Sequence, residues 1–267
     1  MQMKTVREFY NRKIIVSGDR LEMFIYSGQG IELNRFDEQA KRGEEKKQQP
    51  LEESKNKLKS RKSNLNNAKN KIRRLIDCNQ DMSTFLTLTF ANDIAFSESK
   101  RKLNIFFKLL KRKHESLKYI WVLELTKRGR PHYHCLINYP VPCETTTRKG
   151  QKKSKEQMDF ENWFNEKFWR NGFVTIQKVR TGAEGKLSNY LTKYLTKDLI
   201  NLELEELENQ KVYNYSRNLN RPIIDRYFSS KTIEEEIRDK KDCFIRFINS
   251  YPIGNENVTY IHFEKIK

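Results

Sequence analysis

Apolar residues along this chain follow two periods, and the switch between them divides it into strands and helices. Alternation with period two runs through "STFLTLTF" (83–90), "YIWVLELT" (119–126), "HYHCLINY" (132–139) and "GFVTIQKVR" (172–180), the predicted strands. Near the N-terminus "KIIV" and "LEMFIY" flank the turn "SGDR", so the first 33 residues are expected to form a β-hairpin. A last strand is expected near "VTYIHF" (258–263). Leu103, Phe106, Phe107 and Leu110 stand at i, i+3, i+4 and i+7, one face of a helix for which Ser97 is the expected N-cap. Phe160, Trp163, Phe164 and Phe168 mark a second amphipathic helix. Leu187, Leu191, Leu195 and Leu199 mark a third, and a further helix is expected over 230–249.

The central order is strand, helix, strand, strand, helix, strand, helix. Strands joined by a short turn such as "KRGRP" are antiparallel, so the fold class is α+β, one antiparallel sheet covered by helices. Four regions follow. Residues 1–35 form the hairpin, in the central sheet or packed on it. Residues 36–80 are a basic insertion, a polar linker with Gly43 and then a helix opened by Pro50. Residues 81–222 are the core, and 223–267 a C-terminal helix and strand. In the insertion, Leu51, Leu58, Leu65 and Ile72 recur every seven residues. That stripe is too thin for a coiled coil and points instead to a long basic helix lying on a partner, or to a disordered arm. Pro, Thr and Lys make 140–155 a loop, and "LELEELEN" after Asp198 is acidic.

Charge changes this picture. The 267 residues include 53 Lys and Arg against 35 Asp and Glu, a net charge of +18. Residues 41–74 hold 13 basic and four acidic side chains, so half the excess sits in about an eighth of the chain. Such a field attracts polyanions, nucleic acid above all; a merely solubilising surface is the bland alternative. Cys78, Cys135, Cys143 and Cys243 form no CxxC pair, which argues against a disulfide framework or a zinc finger. The start, "MQMKTVREFY", has no apolar h-region and no run has the length of a membrane span. The expectation is a soluble, cytoplasmic protein with no membrane partner.

Two of the four histidines, His132 and His134, are i and i+2 on a strand and project from one face, with Tyr133 on the other. If "KRGRP" centres the turn, Glu124 lies opposite His132 on that face; a shift of one residue would turn it away. A Glu-His-His set with open positions suits a divalent first-row ion such as Mn²⁺ or Zn²⁺, and Mg²⁺ less readily. The plain alternative is a pair of surface or interface histidines. Glu124, with Lys127, Arg128 and Arg130 in the adjoining turn, favours the metal reading.

The third helix carries "NYLTKYLTKD" (189–198). Its leucines form one stripe, Tyr190 and Tyr194 flank it, and Lys193 and Lys197 lie beyond them. Tyrosines bordering a core stripe with solvated lysines are common. A phenol with a pKa near 10 is a poor nucleophile unless cations or a metal-polarised phosphate assist it. Together, the tyrosines, the two-histidine set and the basic charge point to cleavage of a DNA phosphodiester through a covalent intermediate.

These motifs, in this order, resemble the HUH endonuclease superfamily, and within it the two-tyrosine rolling-circle replication initiators of small single-stranded DNA phages and plasmids. "FLTLTF" (85–90) looks like the first motif, "GRPHYHCLI" (129–137) like the His-hydrophobic-His motif, and "NYLTKYLTK" like the Tyr-x-x-Lys-Tyr-x-x-Lys motif. Glu124 stands where several initiators carry a carboxylate ligand. "YSRNLNRP" (215–222) resembles a segment downstream in phage initiators, which adds Arg217 to Lys127, Arg128 and Arg130 as expected DNA contacts. The resemblance covers 82–222. It implies a sheet of about five antiparallel strands with the histidines on a central one. It also implies a nickase and strand ligase using Mn²⁺ or Mg²⁺ on single-stranded origin DNA, with host polymerase and host helicase as partners. No GxxxxGK[ST] signature is present. A two-tyrosine transposase and a non-catalytic nucleic-acid-binding α+β protein are the alternatives.

Overall fold

The computed structural model describes residues 9–28, 31–32, 50–126, 128–146, 151–179, 191–193, 211–253 and 256–266. The expected linker at 36–49 and the acidic stretch at 202–209 lie outside these residues. In chain order the elements begin with β1 (Phe9–Tyr10), β2 (Arg12–Ser17), β3 (Arg20–Tyr26), β4 (Ile31–Glu32), α1 (Pro50–Asp77), β5 (Thr84–Phe90) and α2 (Phe96–Lys113). There follow β6 (Tyr119–Leu125), β7 (Pro131–Ile137), α3 (Lys155–Phe164) and β8 (Gly172–Lys178). The last are β9 (Tyr213–Tyr215), β10 (Ile223–Tyr227), a short helix α4 (Ile233–Arg238), β11 (Cys243–Ile253) and β12 (Glu256–Lys265). The class is α+β. The chain divides into two compact units, Ser54–Asn220 and Met1–Glu53 with Arg221–Lys267.

The Ser54–Asn220 unit is built on five antiparallel strands in the order β8-β5-β7-β6-β9, which puts β7 in the middle. Alternation sorts each strand's residues between two layers. Leu86, Leu88, Trp121, Leu123, Tyr133, Cys135, Val174 and Ile176 face α2 and α3, whose Leu103, Phe106, Leu110 and Phe164 fill that layer. Burying a ring such as Phe106 contributes about 2–3 kcal/mol. The Tyr133 hydroxyl, buried there, shares a 2.8 Å hydrogen bond with Ser99 on α2. Burial pushes its pKa up to about 12.

On the opposite face Phe85, Ile120, Val122 and Leu136 pack with Ala68, Ile72, Leu75 and Ile76 of α1. The segment read as a basic insertion is therefore, from Ala68 onward, a core helix. The sevenfold stripe catches Ile72, but Ala68, Leu75 and Ile76 widen it to a face that a sheet can cover. Ser97 is not the N-cap of α2. Ala95 holds that position without a side-chain bond, and the helix starts earlier than expected because Phe96 is drawn into the core. After α3 the chain widens into a π-turn (Asn165–Trp169) that buries both Phe168 and Trp169 and ends on Arg170 at φ 58°. The outward backbone of β8 is covered: Glu161 accepts from Ile176 N–H at 2.9 Å, and Gln157 donates to Ile176 C=O at 3.3 Å.

In the other unit the strand order is β10-β2-β3-β12-β11. The N-terminal hairpin forms as expected, with Arg12 paired to Ile25 and Ser17 to Arg20. Its strands, however, belong to this second sheet and not to the one that carries the histidines. The helix expected over 230–249 is replaced by α4 and β11. Thr232 and Glu235 close a capping box at the N-terminus of α4, and three glutamates in its first turn suit the positive end of the helix dipole. From Cys243 the sequence "CFIRFINSYPI" is rich in Phe and Ile and pairs with β12 from Cys243 to Ile253, with a shift of register between Ile245 and Phe247. β propensity prevails there over the charged flanks that had read as helical.

Candidate metal centre

The turn register decides this site. Leu125 pairs with Pro131 and Glu124 with His132, so both imidazoles and the carboxylate share one face of the central strands. The turn holds itself: Thr126 N–H donates to Arg130 C=O at 2.9 Å, and Gly129, at φ 76°, donates to Thr126 C=O at 2.8 Å. One ligand atom each from Glu124, His132 and His134 lies within 4.8 Å of the others. His134 Nε2 sits 2.6 Å from a Glu124 oxygen.

On the neighbouring strand, in register, stand two threonines. Thr89 pairs with His132 and Thr87 with His134. Their hydroxyls reach the Nδ1 atoms at 3.1 Å and 3.3 Å. With Nδ1 engaged, each ring is held so that Nε2 is the atom left for the centre, the usual role of a partner behind a metal-binding histidine. A hydroxyl donates or accepts, so it supports the tautomer in which His134 donates to Glu124 and equally the one in which Nε2 offers its lone pair. Phe85 stacks on His134 with centroids 5.7 Å apart.

Burial pushes both imidazole pKa values down to about 4; for His132 the second imidazole adds to the effect and Glu124 opposes it. Neutral imidazoles are the form that binds metal. Two imidazoles and one carboxylate, three protein ligands on one side and none from above among the described residues, fit a divalent ion with positions left for a substrate oxygen. A divalent ion held by these three residues would take the place of any proton shared between His134 Nε2 and Glu124, since the ligating imidazole is neutral and offers its lone pair.

Of the other expected site residues, Lys127, Tyr190, Tyr194 and Lys197 lie outside the described residues. Residues 191–193 are helical; Leu191 and Thr192 are buried and Lys193 is exposed. Leu191 belongs to the apolar cluster of Phe85, Val122 and Leu136, on the face that bears His134. Arg128 is exposed, and Arg130 is ion-paired with Asp93. Arg217 is not brought to the centre. It influences Tyr119, at the far end of β6 from Glu124 and on the α2 face. The "YSRNLNRP" segment serves as a clasp. Ser216 accepts from Tyr119 N–H, Asn218 donates to Leu117 C=O, and Asn220 N–H donates to Asn79. Thr87 and Thr89 are the site residues that sequence reasoning passed over; their signal was alternation in "FLTLTF", which puts both hydroxyls on one face.

Comparison with known proteins finds two matches in sequence. Residues 83–199 match the family described as replication-associated protein ORF2. The phasyl DNA replicon protein arp of Escherichia coli is 28% identical over 147 residues, covering 50% of this chain and 49% of that protein. The chain thus spans about half the length of this relative. No solved structure matches. The matched segment 83–199 contains Glu124, His132, His134 and the doubled Tyr-Leu-Thr-Lys. Among the described residues no helix is long and apolar enough to cross a membrane.

Proposed function

We propose that this chain, whose residues 83–199 match the replication-associated protein ORF2 family, is a rolling-circle replication initiator. In this reading it nicks single-stranded origin DNA by tyrosine transesterification and later rejoins the product strand. The observation that carries the reading is the convergence of Glu124, His132 and His134 on the face where Leu191, next to Tyr190 in the chain, is buried. A divalent ion held by those three residues, Mn²⁺ or Mg²⁺, would polarise a non-bridging oxygen of the scissile phosphate. The chain's own part is the nucleophile. The phenolic oxygen of Tyr190 or Tyr194 bonds to phosphorus, the phenol loses its proton, and the P–O3′ bond breaks. The 3′-oxygen takes up a proton, leaving a 5′-phosphotyrosine. Lys193 and Lys197, each three residues after a tyrosine, favour the phenolate and offset charge on the phosphate. A host polymerase would extend the 3′-hydroxyl and a host helicase would unwind the duplex. The second tyrosine would then cut the regenerated origin, and the released 3′-hydroxyl would resolve the first linkage.

The test is a covalent adduct. With Mn²⁺ and single-stranded oligonucleotides tiling the replicon, an adduct that survives a denaturing gel is expected for the parent chain and for Tyr190→Phe and Tyr194→Phe alone. The double substitution should give none. A folded, metal-loaded protein that binds a tile without forming an adduct would turn the assignment to the non-catalytic nucleic-acid-binding alternative.

A second expectation concerns the threonines. Thr89→Val keeps the shape and removes the hydroxyl behind His132, so Mn²⁺ affinity by calorimetry should fall roughly 10–100-fold, and Thr89→Ser should restore it. Parent-like affinity in Thr89→Val would mean that the ring is oriented by something else.

A further inference from the structure

Phe173, the second residue of edge strand β8, is 67% exposed. A single exposed phenyl group on a protein surface ordinarily needs no explanation. Its register sets this one apart. Phe173 pairs with Thr89, Thr89 with His132, and His132 with Glu124, one row of Cα partners across four strands. Paired residues share a face, and the buried neighbours of Phe173 agree: Val174 and Ile176 enter the α2 and α3 layer, so Phe173 stands on the face of the histidines. With strands about 4.8 Å apart, it lies about 10 Å along the sheet from His132.

The ring is presented by a rigid base. Ala91 N–H donates to Asn171 C=O at 3.0 Å and Asn165 donates to Gly172 C=O at 2.8 Å. The Trp169 indole donates to Thr89 C=O at 3.1 Å. A partner adding a strand at this edge is disfavoured, because Gln157 and Glu161 already occupy the outward groups of Ile176. What remains on offer is a flat aromatic face beside a centre suited to phosphate.

We propose that Phe173 is a base-stacking platform that seats a nucleotide next to the phosphate bound at Glu124, His132 and His134. This rests on the nucleic-acid reading above and adds a contact to it. Every base has a π-face, so such a platform holds single-stranded DNA with little regard to sequence and sets which phosphate reaches the metal.

The test uses the full chain carrying Tyr190→Phe and Tyr194→Phe, so that binding is read without adduct, with fluorescein-labelled dT12 and Mn²⁺. Phe173→Ala and Phe173→Leu should each raise Kd about tenfold; Phe173→Trp should bind like the parent. Melting temperature and Mn²⁺ affinity should not move. With an oligonucleotide of the same length that lacks every base, the difference between Phe173→Ala and the parent should vanish. Parent-like dT12 Kd in Phe173→Ala, or an equal loss on the abasic strand, overturns the proposal. The adduct assay stands apart. No adduct together with weakened Phe173→Ala binding would sink the nickase reading and keep the platform; an adduct with unchanged binding would do the reverse.

Discussion

His134→Ala is expected to remove Mn²⁺ binding and, with it, all adduct formation. His134 is 4% exposed and touches every part of the site: its Nε2 meets Glu124, its Nδ1 meets Thr87, and its ring stacks on Phe85. Losing a partner behind a ligand costs roughly 10–100-fold in metal affinity; losing the ligand itself should cost more. Two protein ligands would remain, His132 and Glu124, too few for a stable site with open positions. The fold should persist, because the layers above and below β7 are held by Tyr133, Cys135, Leu136 and Ile137, all of them buried. Calorimetry with Mn²⁺ and a cooperative thermal melt check both halves. Undiminished Mn²⁺ affinity in His134→Ala would place the ion elsewhere.

The parts of the fold legible in the sequence are those where a single period dominates. "FLTLTF" and "HYHCLI" alternate cleanly, and the α2 stripe of Leu103, Phe106, Phe107 and Leu110 is buried as read. Misreadings occur where two signals compete. In 230–249 the charged residues of "IEEEIRDKKD" extend the look of a helix past its end, although the apolar content of 243–253 is better suited to a strand. The hairpin at 12–26 was legible as a pair of strands, but its partners β10 and β12 lie more than 190 residues away in sequence. No local pattern reports a pairing that distant.

The placement of Glu124 opposite His132 was legible for a related reason. A short turn ties Glu124 to His132, so counting outward from "KRGRP" was enough to find the carboxylate. Thr87 and Thr89 come from a strand 43 to 47 residues earlier, and their role depends on β5 being the neighbour of β7, which the sequence does not state. Phe173 depends on a second such adjacency, β8 beside β5. The expected motif at 215–222 has a structural part that the sequence does not state: Ser216, Asn218 and Asn220 clasp the chain through hydrogen bonds, while Arg217 between them is exposed.

Gly172→Ala is expected to destabilise the Ser54–Asn220 unit by about 3 kcal/mol. That corresponds to a fall in melting temperature of roughly 6–12 °C for a domain of this size. A Cβ at Gly172 would fall inside 3.0 Å of Thr89 O, Ala91 N and Phe90 C, all backbone atoms, and φ there is +155°. Backbone cannot rotate away as a side chain can, so β8 must separate from β5 at their first pairs, Phe90 with Gly172 and Thr89 with Phe173. Thr89 is also the residue behind His132, so the strain should reach the metal centre and weaken Mn²⁺ binding as well as lower the melt. Gly129→Ala is the control. Its φ is +76° but nothing lies within 4 Å of the added carbon, so it should cost only the local backbone penalty of about 1–2 kcal/mol. If Gly172→Ala melts no lower than Gly129→Ala, the close approach of β8 to β5 is not what holds Thr89 in place.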